Sequence, residues 1–538
     1  MAEGLQVALI CWSVMLIGVL RVLFRLMKEM WLKPARIRSV LWKQGIRGPP
    51  PSFIAGNVPE MQKIQSSNQK PSDANHVHHN WVPSIFPYLQ QWEQLYGPVY
   101  VYATGSKQHL YVSDPKLLRE LKLQNYMDLG VPRYLSKPLQ PLIGDSIIRA
   151  NGQDFAYQKK VIAPEFFLNK VKGMVCLMEE SAVAFIKTWE SRVIESEGGV
   201  VDIKVDEELK TLSADIISRA CFGSSYSQGN QIFAKIAILQ EALSNPSLLF
   251  GFLNFSLFPT ESEKKIKSLR KEVDALLLKL VRDRQKESQS GGTSEKDLLQ
   301  MILQSAANNS TDKPQQYMHK RDQFILDNCR SIYFAGSETT ALTASWTLML
   351  LALHPEWQER VRVEIAEVCG DDDDQLRQCL KDMDKLNKLK TLTMVIQESL
   401  RLYGPGVILA REALAKMKLG DFTVPEGVHI WTLIPTLHRD PENWGPDANE
   451  FKPERFANGV SEACKYPQAY VPFGHGSRSC IGQTFGMVQL KIVLPLILSK
   501  FSFSLSPNYQ HSPVYKMLLL PEHGIRLLVR RVQGFEGS

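Results

Sequence analysis

Cysteine is scarce in this chain, with eight in 538 residues. So few thiols, scattered so widely, argue against a disulfide framework and for a reducing compartment. No C-x-x-C pair occurs, which excludes thioredoxin-like chemistry and the usual structural zinc sites. Cys176, Cys221, Cys329, Cys369, Cys379 and Cys464 read as buried, inert small hydrophobes; Cys11 falls in an apolar N-terminal stretch. The formal net charge is only +7, and no basic repeat studded with aromatics points to nucleic acid. There is no internal repeat and no flavin or nicotinamide fingerprint. The run GHGSRS has the first two glycines of a dinucleotide loop but lacks the third and any strand–turn–helix unit around it. Redox chemistry on this chain would need electrons from a partner.

What is present begins at the N-terminus. Residues Leu5 to Leu20 are almost uniformly apolar, and the character continues to Met27. That is about the roughly 20 residues needed to span a bilayer. Arg21, Arg25, Lys28, Lys33, Arg36, Arg38, Lys43 and Arg47 follow with little acidic counterweight, which places this side in the cytoplasm. Charge after the apolar core, and no small-residue cleavage site, favour an uncleaved anchor over a signal peptide. Gly48-Pro49-Pro50-Pro51 is a stiff breaker. The expected division is a transmembrane anchor at 1–28, a basic linker and proline-rich hinge at 29–51, and a globular domain at 52–538. The sequons at Asn254, Asn308 and Asn309 should stay bare on the cytoplasmic face.

The body reads as mainly helical with small β-sheets. Tyr96-Gly97-Pro98 introduces a hairpin about Gly105, and Asp114-Pro115 opens a helix. Helices then dominate to Gly404, with breaks near 223–229, 288–293, 306–314 and 370–374. The DDDD run needs only a solvated turn. Residues 65–80 read as a polar surface loop in which His76, His78 and His79 are solvated. The aromatic stretch 248–259 is either core or a membrane-dipping lip.

Chemistry concentrates in four places. FGHGSRSCIG, Phe473 to Gly482, precedes an apolar helical run from Gln483 to Phe501. Its glycines permit a tight turn against a flat object. Arg478 supplies a forked cation, and the helix end would stabilise a thiolate at Cys480. Residues Arg321 to Leu353 read as one long helix. AGSETT, Ala335 to Thr340, sits at its middle, where Gly336 and two threonines oppose helix propensity. Glu398 and Arg401 share a helical face, and FKPERF, Phe451 to Phe456, lies downstream. Pro405 to Arg411 reads as a strand.

The pattern F-G-x-G-x-R-x-C-x-G resembles the haem-binding loop of the cytochrome P450 superfamily, and the other motifs follow that family's order. The resemblance implies a P450 fold behind an N-terminal transmembrane helix, with haem b held by an axial Cys480 thiolate. Phe473, Arg478, Arg411 and Lys159 would contact the cofactor. Thr339 would hydrogen-bond dioxygen at the iron, and Glu338 would feed protons through water. Ala335, Val407, Ile408 and Leu409 would face substrate; Glu398, Arg401 and Arg455 would form a buried structural triad. Arg133, Lys137 and Arg149 are candidate contacts for an acidic substrate.

The implied activity is monooxygenation with O2, using NADPH electrons passed on by cytochrome P450 reductase at the endoplasmic reticulum membrane. The stretches YGPVYVYATGSKQHLYVSDP, SNPSLLF and APEFFLNKVKGMVCLMEESA resemble the plant branch that oxidises gibberellins and related diterpenoid acids. A triterpenoid acid is the alternative substrate. A reductase-independent isomerase or dehydratase, and a haem-binding protein without turnover, are the alternatives in kind. One departure is clear: where the family has W-x-x-x-R facing a propionate, this chain has Phe155 and Lys159. Weaker or altered propionate anchoring is the expectation.

Overall fold

The computed structural model describes residues 2–68, 77–223, 226–243, 260–289, 298–308 and 314–532. His76, the aromatic stretch 248–259, the sequons at Asn254 and Asn309, and much of the breaks at 288–293 and 306–314 fall outside them. Helix α1 (Ala2–Met27) runs through one π turn, Lys28–Leu32, into α2 (Lys33–Lys43). Ile10 to Lys43 is the one described helix long and apolar enough to cross a membrane. The segment expected to be a linker is therefore helical to Lys43. Its apolar residues explain this: Leu41 and Pro34 are buried, with Leu41 in a core shared with the sheet, and Arg38 donates to Gln108 Oε1 at 3.0 and 3.1 Å.

That sheet contains β1 (Val99–Thr104), β2 (Lys107–Val112), β3 (Leu129–Gly130), β4 (Ile408–Ala413) and β5 (His429–Leu433), in the order β1-β2-β5-β4-β3. The expected hairpin pairs Val101 with Leu110, and β2 runs parallel to β5 with Leu110 opposite Ile430. Nearly every residue of β1 and β2 is buried, which is why both strands read as apolar runs with little alternation.

The helical body is built on α3 (Gly152–Ile162), α4 (Val175–Glu195), α5 (Val205–Phe222), α6 (Pro314–Leu353), α7 (Pro355–Cys369), α8 (Lys390–Tyr403) and α9 (Gln483–Lys500). Helix α6 has 40 residues, about 60 Å at 1.5 Å per residue. It starts at Pro314, seven residues before the expected Arg321, because proline is well suited to a first helical position. The helix continues unbroken through AGSETT.

Several expectations need correcting. Cys369 and Cys379 form a disulfide across the acidic turn; the two helices that pack there bring their Cα atoms to 5.2 Å. Cys176 is exposed and Cys464 only partly buried. Residues 65–67 belong to a helix. His79 is not solvated: its Nδ1 lies 2.8 Å from the Tyr403 hydroxyl, and burial, then His511 and nearby arginines, push its pKa down to about 3.

Gly336 has a packing reason. A Cβ there would lie 2.6 Å from Ile217 Cγ1 on α5, so the missing side chain lets two core helices touch. Gly336→Ala gains about 1 kcal/mol of helix propensity but overpacks the contact by about 1–3 kcal/mol. Denaturant unfolding should show net destabilisation, and Ile217→Ala should cost less in the Gly336→Ala background than alone. Additive costs would refute the contact.

Candidate haem-thiolate site

Helices α6 and α9 converge where the motifs meet. A Cβ on Gly486 would lie 3.6 Å from Thr340 Oγ1, so the first turn after the cysteine loop abuts AGSETT. Gln489 of α9 also donates to Ser213 of α5 at 2.9 Å. The cysteine loop turns tightly: Gly474 and Gly476 have φ of 67° and 71°, conformations that favour glycine. A side chain on Gly476 would strike the Lys122 carbonyl at 2.7 Å. Gly482 has φ −86° and caps α9 instead. Cys480 N–H donates to the Phe473 carbonyl at 2.8 Å, closing the loop.

The Cys480 side chain is accessible to solvent although protein atoms surround its sulfur. Burial raises its pKa above the usual thiol value, and the Gly482 N–H offsets this only in part. A coordinated metal ion would favour the deprotonated form of such a thiol.

Three groups on this side await an anion. Arg411 is 9% exposed; its one described hydrogen bond goes to its neighbour's carbonyl, Ala410 O, at 2.9 Å. Burial pulls its pKa down to about 10, so it stays cationic at neutral pH. Arg478 donates through Nη2 to Ala150 O (2.7 Å) and Asn151 Oδ1 (2.8 Å), while its Nε is buried without a partner. Its pKa also falls to about 10, through burial and then Arg411. His475 Nε2 is likewise buried and unpartnered, and burial and then Arg411 depress that ring to about 4. Neither arginine has a carboxylate partner among the described residues. One buried and one half-buried cation without a carboxylate partner, buried nitrogens without a hydrogen bond and an accessible thiol fit haem with its propionates.

Phe155 and Lys159 take other partners. The Arg478 guanidinium lies 3.8 Å from the centre of the Phe155 ring, and Lys159 Nζ donates to the Ser477 carbonyl at 2.5 Å. On α6, Thr339 Oγ1 donates back to Ala335 O at 2.6 Å. Glu338 is buried and ion-paired with Lys210 of α5. Val407 is buried in the main core and Ile408 packs against it from the start of β4, whereas Leu409 turns to the other core, toward Gly474. Arg149 is paired with Asp145; Arg133 and Lys137 are exposed.

Glu398, Arg401 and Arg455 do come together. Glu398 and Arg401 meet through two bonds of 2.7 Å, with Arg455 Nε 3.6 Å from Glu398 Oε1. Arg401 also donates to the carbonyls of His438, Ala448 and Glu450. His438 went unnoticed in the sequence. Its Nε2 accepts from Val471 N–H at 3.0 Å, which leaves Nδ1–H to donate to Arg401 O at 3.1 Å. Lys210 was also missed; it lies 128 residues from Glu338 on an ordinary charged helix.

A family model described as Cytochrome P450 matches residues 76–529. The chain is 46% identical over 524 residues to Cytochrome P450 714A2 of Arabidopsis thaliana, covering 96% of this chain and 98% of that one. It is 47% identical over 508 residues to Cytochrome P450 714C2 of Oryza sativa subsp. japonica, covering 94% of each. Fold and site together define a haem-thiolate monooxygenase. The chain belongs to the cytochrome P450 family, whose members hold haem through a cysteine thiolate and use O2 with NADPH electrons delivered by a reductase.

Burial, and then Arg401 and Arg439, depress His438 to about 3. The unfolded value is near 6.5, so between these limits the unfolded chain binds more protons. The contribution of His438 to stability is therefore complete above pH 6.5 and is lost as pH falls toward 3. Thermal melts of His438→Gln, which keeps an acceptor and a donor, should lose less stability than wild type from pH 7 to pH 4. Parallel curves would exclude the assignment.

Proposed function

We propose that the chain oxidises a gibberellin or related diterpenoid acid, by hydroxylation or epoxidation. It would do so from a single-pass anchor in the endoplasmic reticulum membrane with its catalytic domain in the cytoplasm. The division is an anchor at 1–28, a connecting segment at 29–51 and a catalytic domain at 52–538. The substrate reading rests on the long stretches that resemble the gibberellin-oxidising branch. The relatives' names give a family number and no substrate. Electrons would come from NADPH–cytochrome P450 reductase, docking on the basic face near Cys480.

In this reading Cys480 would hold the haem through its thiolate, and Phe473, Arg411, Arg478 and Lys159 would be its further contacts. Bound haem supplies activation of O2, with one oxygen atom going to substrate and the other to water. Thr339 presents its hydroxyl from the α6 groove, where the Ala335 carbonyl fixes its rotamer. Glu338 holds a proton-transfer position with Lys210 connecting it to the surface, since Lys210 is 40% exposed and Glu338 6% by side chain. Ala335, Val407 and Ile408 line the substrate side. The observation that carries the site is the approach of Gly486 to Thr340, which sets the cysteine loop against the oxygen-side groove.

Reductase-supplemented microsomes offered a panel of diterpenoid and triterpenoid acids should convert a gibberellin-type acid. Conversion of triterpenoid acids alone would move the substrate to the second class. NADPH consumption without any product would favour the haem-binding reading without turnover. The double change Phe155→Trp and Lys159→Arg should slow haem transfer to apomyoglobin severalfold, because an indole N–H and a second fork are restored to the propionates. An unchanged transfer rate would show that propionate anchoring is not weakened here.

A further inference from the structure

Where the N-terminal helix meets the sheet, a cavity of about 260 Å3 opens between α2 and the β1–β2 turn. Its walls include Lys33, Lys107, Gln108, Arg133, Glu412 and His429. Gln108 and His429 are 1% and 6% exposed, and both Gln108 Nε2 and His429 Nδ1 lack a hydrogen-bond partner. The Gln108 amide cannot be flipped to cure this. Its Oε1 accepts two bonds from Arg38, a residue with donors only, so its bare N–H2 is left for the cavity. A buried donor of this kind calls for an acceptor that the chain does not supply.

The charges around it indicate which acceptor. Glu29 sits 3.8 Å from Lys33, and Glu412 accepts from the main-chain N–H of Arg133 at 3.3 Å. Among the described residues no carboxylate pairs with the side chains of Lys107 or Arg133; the Lys107 ammonium lies 5.6 Å from the Tyr134 ring centre. Two free cations beside a bare amide donor suit a phosphate, whose oxygens accept only. The volume falls just below the ~300 Å3 at which drug-sized ligand pockets begin.

The surroundings indicate the source. Trp31 packs on Phe53 with ring centres 4.9 Å apart, and Phe53 and Ile54 are 67% and 51% exposed. This apolar tip is bonded to the β1–β2 turn through Gly105 N–H and Ala55 O at 3.1 Å. Aromatics that follow a spanning helix sit at the membrane–water boundary, which brings the cavity to headgroup depth. We propose that this cavity binds the phosphate of an anionic membrane lipid through Gln108, Lys107 and Arg133. The inference rests on the reading of α1 as a membrane anchor, and it fixes how the body is seated on the bilayer.

The test uses the full haem-loaded chain in detergent micelles, with native mass spectrometry in the presence of phosphatidic acid or phosphatidylcholine. Wild type should retain phosphatidic acid about thirtyfold better, roughly what two basic contacts supply at a membrane surface. Lys107→Ser with Arg133→Ser should remove that preference while keeping the thiolate band of the reduced, carbon monoxide-bound haem. Without any substitution, phosphatidic acid should also protect Lys107 from amine labelling. No preference in wild type, or an equal preference in the double variant, would overturn the site. Protection by inorganic phosphate as complete as by the lipid would overturn the lipid source. Flotation with phosphatidylcholine vesicles separates the two readings: a chain that floats without lipid preference fails only the headgroup site, and one that does not float fails the anchor.

Discussion

The Glu398 carboxylate and the Arg401 guanidinium are both sealed from water, and neither could be buried alone without a penalty of several kcal/mol. That constraint propagates outward. With two of its nitrogens on Glu398, Arg401 spends its remaining donors on carbonyls at 438, 448 and 450. Glu398 in turn accepts from Lys452 N–H at 2.9 Å. One side-chain pair thus fixes a long non-regular segment that has few ladder bonds of its own. His438 carries the restraint onward, from the carbonyl of Arg401 to the N–H of Val471, two residues before the cysteine loop begins. A pair of this kind is weak evidence for net stability and better understood as a device for fixing geometry. Here the geometry it fixes is the approach to Cys480.

The loop itself is incomplete in electrostatic terms. Among the described residues neither the buried Arg411 nor the half-buried Arg478 has a carboxylate partner; burial lowers the pKa of both, and Arg411 lowers that of Arg478 further. The thiol beside them is raised by the same desolvation. A dianionic cofactor with a cationic metal would answer both deficits at once, so its binding would stabilise the folded loop. The scaffold therefore pays for a site it can complete only with its cofactor.

The motif-bearing residues were legible because their chemistry is local. Glycine spacing, a forked cation and a cysteine ahead of an apolar helix all sit within a few residues, and Glu398 with Arg401 needs only a helical face. The long central helix was legible from the lack of proline between Arg321 and Leu353, although Pro314 was taken for a break when proline can equally begin a helix. What the sequence hid was pairing across distance. Lys210 and Glu338 belong to separate helices, and nothing in VDEELK marks its lysine. His438 looked like one polar residue in HRDP, because a histidine's role depends on which backbone groups reach its two nitrogens. The bond between Cys369 and Cys379 joins two helices whose packing no spacing rule foretells.

Phe155 shows how a departure from a family pattern can be read once neighbours are known. A phenylalanine offers no N–H, but its face is a good platform for a guanidinium, and Arg478 lies on it. Lys159 cannot fork, yet a single ammonium suffices for one carbonyl, and it takes that of Ser477. Both residues thus grip the loop immediately before the cysteine. Arg478 commits Nη2 to Ala150 and Asn151 and keeps Nε free, so an arginine held by its face can still present an edge to a propionate. Phe155 thus restrains Arg478 and Lys159 restrains Ser477, so both brace the turn that would meet the cofactor.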